Sequence, residues 1–344
     1  MELVKRLSFV FIKLLIIYLI IGLMYIVYGL NIKLDKYNIK NDEFNGKIVV
    51  TYSNNSDSFI SDKKNNNVQK FIACYEYPIK EENFTNEMKN KLNELYDLFK
   101  NSEYSVSFAY EDMYTGLHIS YNENQTFFTA STIKAPVEVY LYEQVDNGKL
   151  NLDSMVTYTS NFYLEGSGSI QYQTIGTQYK LRDLVKMALV ESDNIAYQMT
   201  ASQVNYNEIK NFWKEKGANN FWTNGYWGNT SAHDGIIYMK ELYNYSLNNS
   251  DLSNELLDYL YNSVFKLIKG KNENIMVAHK SGWHFEILHD TALIFDDYPY
   301  TLAINTNMSY GDYSNFFNQA SKLISEFHDL YWKNKANICY DQVF

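Results

Sequence analysis

Phe127-Phe-Thr-Ala-Ser131-Thr-Ile-Lys134 decides how this chain is read. Ser131 and Lys134 stand three residues apart, so on a helix the hydroxyl and the amine share one face, a single turn apart. A serine hydroxyl is a poor nucleophile until a nearby base takes its proton, and a lysine amine serves as that base only when held neutral. Burial and a second cation both lower an ammonium pKa. Ser-x-x-Lys alone arises often by chance, so its weight depends on the rest of the chain.

Two further strings come after it in order. Ser192-Asp-Asn194 closes the run Leu184-Val-Lys-Met-Ala-Leu-Val-Glu-Ser192, and Lys280-Ser-Gly282 comes late, with Lys280 available as the second cation. The ordered trio resembles the class A β-lactamases and the penicillin-binding proteins, whose signature is Ser-x-x-Lys, Ser-Asp-Asn and Lys-Thr-Gly. Serine replaces threonine in the third string and keeps the hydroxyl. The resemblance runs from about residue 83 to about residue 332.

The pattern of elements agrees with it. Thr85 is placed to cap a helix with Met88, Leu92, Leu95, Tyr96 and Phe99 at helical spacing. Residues 104–110 alternate as a strand, and a turn at 114–116 returns into a second strand with Leu117, Ile119 and Tyr121 on one face. Helical stretches follow Ser131, through 180–200 and 207–216. Strands resume at 275–280, 291–295 and 300–305, and a final helix carries Phe316, Ala320, Leu323, Ile324, Phe327 and Tyr331 on one stripe. This order implies an α+β fold: a two-lobe domain of β-lactamase/transpeptidase type. An antiparallel sheet built from both chain ends is covered by the terminal helices, with an all-helical lobe beside it. The site is expected in the cleft between the lobes.

The resemblance also implies roles. Ser131 is the expected nucleophile and Lys134 its base, with the Ser131 and Trp283 N–H groups receiving the oxyanion. Ser192 would relay a proton to the leaving nitrogen, and Asn194 would bind the substrate amide and Lys134. Asp193 would fix its loop through backbone N–H groups. Lys280 would add positive potential, and Ser281, next to Gly282, would bind a substrate carboxylate. Many relatives place an arginine near that carboxylate. The two arginines here, Arg6 and Arg182, lie off the late strands. His284 reads as an ordinary exposed strand-end histidine.

One departure is large. Class A β-lactamases carry a glutamate between the second and third motifs that activates the deacylating water. The corresponding stretch here, 217–233 (GANNFWTNGYWGNTSAH), contains no Asp or Glu. Glu215 and Asp234 flank it on expected helices, and Glu165, beside Gly166-Ser-Gly168, reads as a surface residue. The acylation machinery is therefore whole while the hydrolytic base is missing. Three readings stay open: a serine hydrolase of class A β-lactamase type with slow release, a penicillin-binding-protein-like D,D-carboxypeptidase, and a non-turnover sensor of β-lactams or peptidoglycan. The expected substrate is a β-lactam or a peptidoglycan stem peptide.

Composition sets the remaining bounds. A formal net charge of −10 argues against a nucleic-acid partner. Cys74 and Cys339 lie at opposite ends of the domain, as two free thiols or as a terminus-to-terminus disulfide if the domain is exported. The six histidines show no i,i+4 pair, and no metal or other cofactor is expected. Residues 14–30 (LLIIYLIIGLMYIVYGL) are apolar throughout and suit an N-terminal transmembrane helix, so residues 1–30 read as a membrane anchor. A cleaved signal peptide is the competing reading, although 25–33 offers no small-x-small cleavage site. Residues 31–82 read as a polar stalk in which 47–52 forms a short strand or packing segment, and 83–335 as the hydrolase domain. The family acts outside the cytoplasm, which places the catalytic domain on the extracellular side of the membrane.

Overall fold

The computed structural model describes residues 48–51, 74, 77–223, 225–248, 250–309 and 313–343. The apolar segment 1–30 and most of the polar stretch 31–82 lie outside the described residues. Among the described residues no helix is long and apolar enough to cross a membrane.

The chain enters as a strand, β1 (Ile48–Thr51), inside the polar stretch. Thr85 then opens α1 (Asn86–Lys100) by accepting from the Met88 N–H at 3.2 Å, which satisfies a donor the helix start leaves unpaired. Helix α1 buries Met88, Leu92, Leu95 and Phe99, the stripe that its spacing predicts. Strands β2 (Val106–Asp112), β3 (His118–Tyr121) and β4 (Phe127–Phe128) lead to a 3-10 turn at Ala130–Ile133 and then α2 (Lys134–Asp146). A small pair, β5 (Met155–Thr157) and β6 (Gln178–Lys180), precedes three helices: α3 (Leu181–Val190), α4 (Asn194–Ala201) and α5 (Tyr206–Glu215). The stretch expected to be helical over 180–200 is thus two helices, broken at Ser192, whose φ of 56° no helix accommodates.

The acid-free stretch folds as β7 (Trp222–Thr223) and β8 (Gly228–Thr230), followed by α6 (Ala232–Ser246) and α7 (Asp251–Tyr261). Strands β9 (Met276–His284), β10 (Ile287–Phe295) and β11 (Tyr300–Thr306) and the long α8 (Tyr313–Val343) complete the described chain. The main sheet runs β1-β3-β2-β11-β10-β9, antiparallel at every step, so both chain ends build it.

Every residue of β2 and β11 is buried, because the sheet is covered on both faces. Val106, Phe108 and Tyr110 share a core with α1 and α8, where Phe99 packs tilted against Phe108 and edge-on to Phe316 at ring distances of 4.7 and 4.9 Å. On the other face Ala109 and Ala303 meet Ala232 and Ile236 of α6, and the three alanines let the helix come close to the sheet. A second core joins α2, α3, α4, α5 and α7 around Tyr142, Leu184 and Trp213. Within it α2 is buried almost all round, as befits the central helix of the lobe.

The domain takes in more than residues 83–335. β1, an Ile-Val-Val-Thr run within the polar stretch, pairs with β3 from Ile48↔Tyr121 to Thr51↔His118, and Val50 packs against the sheet core. A disulfide joins Cys74 to Cys339 with Cα atoms 5.5 Å apart, closing a sequence separation of 265 residues, and no free cysteine remains. A cross-link over so long a loop contributes about 2–4 kcal/mol in typical measurements.

A charge cluster pins β2 and β3 to α6. His118 lies 2.7 Å from Glu123 and 3.5 Å from Glu111, and Lys240 pairs with Glu111. Burial works against these charges, but Lys240 and His118 outweigh it and hold Glu111 down to about 2. Burial likewise opposes the His118 charge, yet Glu123 and Glu111 raise it to about 10. The Glu111 contribution is full above its ordinary 4.5 and is lost as pH falls through about 2. The His118 contribution is full below its ordinary 6.5 and is lost as pH rises through about 10. His118→Gln should therefore cost about 3 kcal/mol in urea unfolding near pH 6 and much less above pH 10. An equal cost at both pH values would show that the cluster is not charged.

Candidate active site

Phe127-Phe128 pairs with β8, and the chain then turns sharply at Ala130, a non-glycine residue with φ of 44°. Such strain persists where the surroundings over-determine it, often at functional sites. Ser131 is the half-buried second residue of the 3-10 turn rather than the first residue of an α-helix, and Lys134 begins α2. Its amine lies 3.1 Å from Ser131 Oγ, 2.5 Å from the Ser192 carbonyl, 3.1 Å from Ser192 Oγ and 2.9 Å from Asn194 Oδ1. The first two motifs thus meet at one nitrogen.

The stereochemistry of that nitrogen is informative. A neutral amine has two N–H donors and one lone pair. The Ser192 carbonyl and Asn194 Oδ1 accept only, so they use both donors, and the lone pair is left for a hydroxyl proton. Burial pushes the Lys134 pKa well below its ordinary value, and the Lys280 charge lowers it further against Asp193 and Glu138. The rings of Tyr197 and Trp227 stand 5.9 Å from the amine and keep water from it. The arrangement can generate an alkoxide at Ser131.

Asp193 caps α4, its Oδ1 accepting from the N–H groups of Ile195 and Ala196 and its Oδ2 from that of Ile170. The loop carrying Gly168 lies directly on this carboxylate: a Cβ at Gly168, where φ is +102°, would stand 2.1 Å from Asp193 Cγ. Asp193 thereby holds both the second motif and the rim above it.

The third motif sits on β9, the last strand of the main sheet, whose free edge runs along the Ser131 turn. Lys280 is fully buried, its amine 3.2 Å from the Ser281 carbonyl, and burial lowers its pKa to about 8. The Ser281 hydroxyl donates to the Val264 carbonyl at 3.3 Å, so binding a carboxylate there requires giving up that bond. Trp283 is half exposed at the mouth. Gly282 is the contact point: a Cβ there would meet Ser131 N and Thr132 N at 2.8 Å and Thr129 O at 3.0 Å.

Other sequence candidates lie off this centre. His284 is exposed against Phe128 and Phe285, with ring distances of 5.4 and 4.5 Å. Glu165 is exposed and accepts from the Tyr163 hydroxyl. Glu215 ends α5, and Asp234 in the first turn of α6 accepts from Asn220 N at 3.3 Å. The acid-free stretch forms a three-stranded sheet with β4, in the order β4-β8-β7, tied to the Ser131 approach by Thr129 N donating to Gly228 O at 2.9 Å. What it presents to Lys134 is Trp227. The aromatic wall of Phe128, Tyr197 and Trp227 escaped the sequence reading, as did Glu138. Glu138 carried a usable signal, a carboxylate one helical turn after Lys134 in an otherwise apolar run.

A serine bonded to a buried lysine amine, where an antiparallel sheet meets a helical lobe, defines an active-site-serine enzyme of the acylating kind. A family model described as the beta-lactamase enzyme family matches residues 87–328, and the chain belongs to that family of serine hydrolases. No curated protein matches the sequence. Among solved structures, PBP-A aligns with a TM-score of 0.65 at 22% identity, over 70% of this chain and 96% of its own. A PBP-A mutant captured as an acyl-enzyme with penicillin G aligns equally well, at 21% identity over 70% and 97%. A β-lactamase from Sphaerobacter thermophilus has a TM-score of 0.61 at 16% identity, covering 68% of this chain and 95% of its own. At these identities the likeness establishes the fold.

The Gly282 contact makes a sharp expectation. The atoms an alanine methyl would strike are backbone, so β9 must move away from Ser131. Gly282→Ala should lower the rate of covalent labelling by a fluorescent penicillin at least about 100-fold while circular dichroism stays native. A variant that labels normally would show that β9 does not form part of the acylation site.

Proposed function

We propose that this protein is a membrane-anchored, extracellular serine hydrolase of class A β-lactamase type, acylated at Ser131 by β-lactams or cell-wall peptides and slow to release the acyl group. The observation that carries the reading is the Lys134 amine, buried, 3.1 Å from Ser131 Oγ and with both N–H donors matched to pure acceptors.

Lys134 takes the Ser131 proton as Oγ attacks the carbonyl carbon. The tetrahedral oxyanion is received by the N–H groups of Ser131 and Trp283. Ser192, within 3.1 Å of Lys134, passes the proton on to the leaving nitrogen as the C–N bond breaks, and an acyl-serine remains. Asn194 orients the substrate amide, while Lys280 and Ser281 receive a substrate carboxylate. Release requires a base for water. The hairpin that could supply an acid presents Trp227, so Lys134 has to serve a second time.

The same feature supports a second reading, a D,D-carboxypeptidase or β-lactam sensor of penicillin-binding-protein type, in which long-lived acylation is the activity itself. The acyl-enzyme of PBP-A with penicillin G is consistent with either. Export is supported by the apolar segment 14–30 and by the Cys74–Cys339 disulfide, which belongs to an oxidising compartment.

General-base assistance is worth about 10²–10⁴-fold, so its loss leaves an adduct that persists for minutes or longer. Mixing with a chromogenic cephalosporin should give a burst near one equivalent and then slow turnover. Intact mass should show the adduct, and Ser131→Ala should abolish it. Fast multiple turnover without accumulated adduct would overturn the slow-release reading, and labelling of Ser131→Ala would overturn the nucleophile.

A further inference from the structure

Glu138 follows Lys134 by one turn on the same face of α2 and is fully buried. Both side chains turn toward α4: Lys134 bonds Asn194 at its start, and Glu138 Oε1 lies 2.5 Å from Thr200 Oγ1 near its end. Thr200 Oγ1 also lies 2.9 Å from the Tyr197 carbonyl. A hydroxyl has one proton, and a carbonyl oxygen can only accept. The arrangement that satisfies both contacts sends the Thr200 proton to Tyr197 and places a proton on the Glu138 carboxyl, which donates to Thr200. Glu138 Oε2 points the same way, since it is buried with no hydrogen-bond partner, a costly position for a charged oxygen.

Among the groups around this carboxyl, Lys134 is the base whose proton uptake its charge favours, while for Tyr197 the same charge only reinforces the neutral phenol. On α4, Tyr197 is neutral and donates its hydroxyl to the Tyr226 carbonyl, while Asp193 is held by three backbone N–H groups. On α5, Trp213 Nε1 donates to Pro136 O, and the buried Tyr206 hydroxyl is uncharged. From β9, Lys280 acts on Lys134 itself.

We infer that Glu138 is a positioning residue for the proton that Lys134 must take: a neutral acid at rest, whose ionisation turns Lys134 into a stronger base. The inference rests on the reading of Ser131 and Lys134 given above. While Glu138 is neutral, Lys134 stays a free amine but a weak base, because the ammonium it forms on taking the Ser131 proton has no counter-charge beside it. Once Glu138 has lost its proton to solvent, the ammonium forms next to a carboxylate and is stabilised. Burial raises the Glu138 pKa to about 8, against the Thr200 hydrogen bond and the pull of Lys134, so the change falls within reach of experiment.

Glu138→Gln keeps the neutral shape and cannot ionise. The measurement is the second-order rate constant for labelling by a fluorescent penicillin from pH 6 to pH 10, in wild type and variant. Lys280 titrates in the same range in both proteins, so their ratio isolates Glu138. The ratio should be near one below about pH 7 and rise through about pH 8 to a plateau of about 3–10-fold, as expected when an adjacent charge strengthens a general base. A ratio that is the same at every pH, whether one or much larger, would assign Glu138 a structural role and overturn the inference. If Glu138→Gln does not fold, Thr200→Val takes its place: it removes the partner of the carboxyl, and the wild-type rise must then shift away from pH 8. A wild type that never labels, or a Ser131→Ala protein that does, removes the proposed function and this inference with it. A labelling wild type with a constant ratio removes this inference alone.

Discussion

An amine that cannot afford a charge governs this molecule. Lys134 is sealed between α2 and α4, behind the rings of Tyr197 and Trp227, with Lys280 as a second buried cation in its field. Desolvation and like charge both favour the neutral form, which is the form a nucleophilic serine needs. The surrounding chain is organised to hold that amine in place. Ser192 adopts a left-handed φ to turn its carbonyl toward Lys134, Asp193 caps the helix that carries Asn194, and the backbone of β9 closes over Ser131 at a residue without a side chain. Local strain at Ala130 and Ser192 is tolerated because two packed lobes determine both positions from outside.

In the proposed reaction the same constraint separates the two halves. Taking a proton from Ser131 needs a base already within 3.1 Å, and it is there. Activating a water against the acyl-serine needs a second base or the first one returned to neutrality. The stretch 217–233 instead forms a small sheet that braces the approach to Ser131, together with an aromatic wall. A wall strengthens electrostatics within the site by excluding water, and it also limits access for the water that release requires. In the proposed function, acylation and hydrolysis are thus unequally provided for by one choice of side chains.

Much of this was legible in the sequence. The three motifs located the centre, and helical spacing located α1 and α8, because apolar stripes have to face a core. Chemistry read from short strings is local, and so it survives folding. What stayed hidden depends on partners distant in sequence. The Ile-Val-Val-Thr run of β1 marks a short strand, but its pairing with β3 is one that no local pattern encodes. β2 reads as an alternating strand, yet both its faces are buried, since α6 covers the side a period-two pattern leaves to solvent. Ser281 has the expected identity, while the direction of its hydroxyl is set by the Val264 carbonyl, 17 residues away.

Glu138 shows the limit from the other side. A carboxylate at i+4 from a lysine on a helix ordinarily reads as a solvent-exposed ion pair. Here α2 is the buried axis of its lobe, so the same two letters describe two ionisable groups without water. Stability alone disfavours that arrangement, because an apolar side chain of similar volume in place of either would remove a desolvation cost. Local rules of this kind are broken where a function requires it. On α2 both departures fall within one turn of each other at the end that meets Ser131, whereas Val137, Val139 and Leu141 fill the neighbouring positions as a core helix should. The helix is packed as a core along its length and carries its two buried ionisable groups at one end.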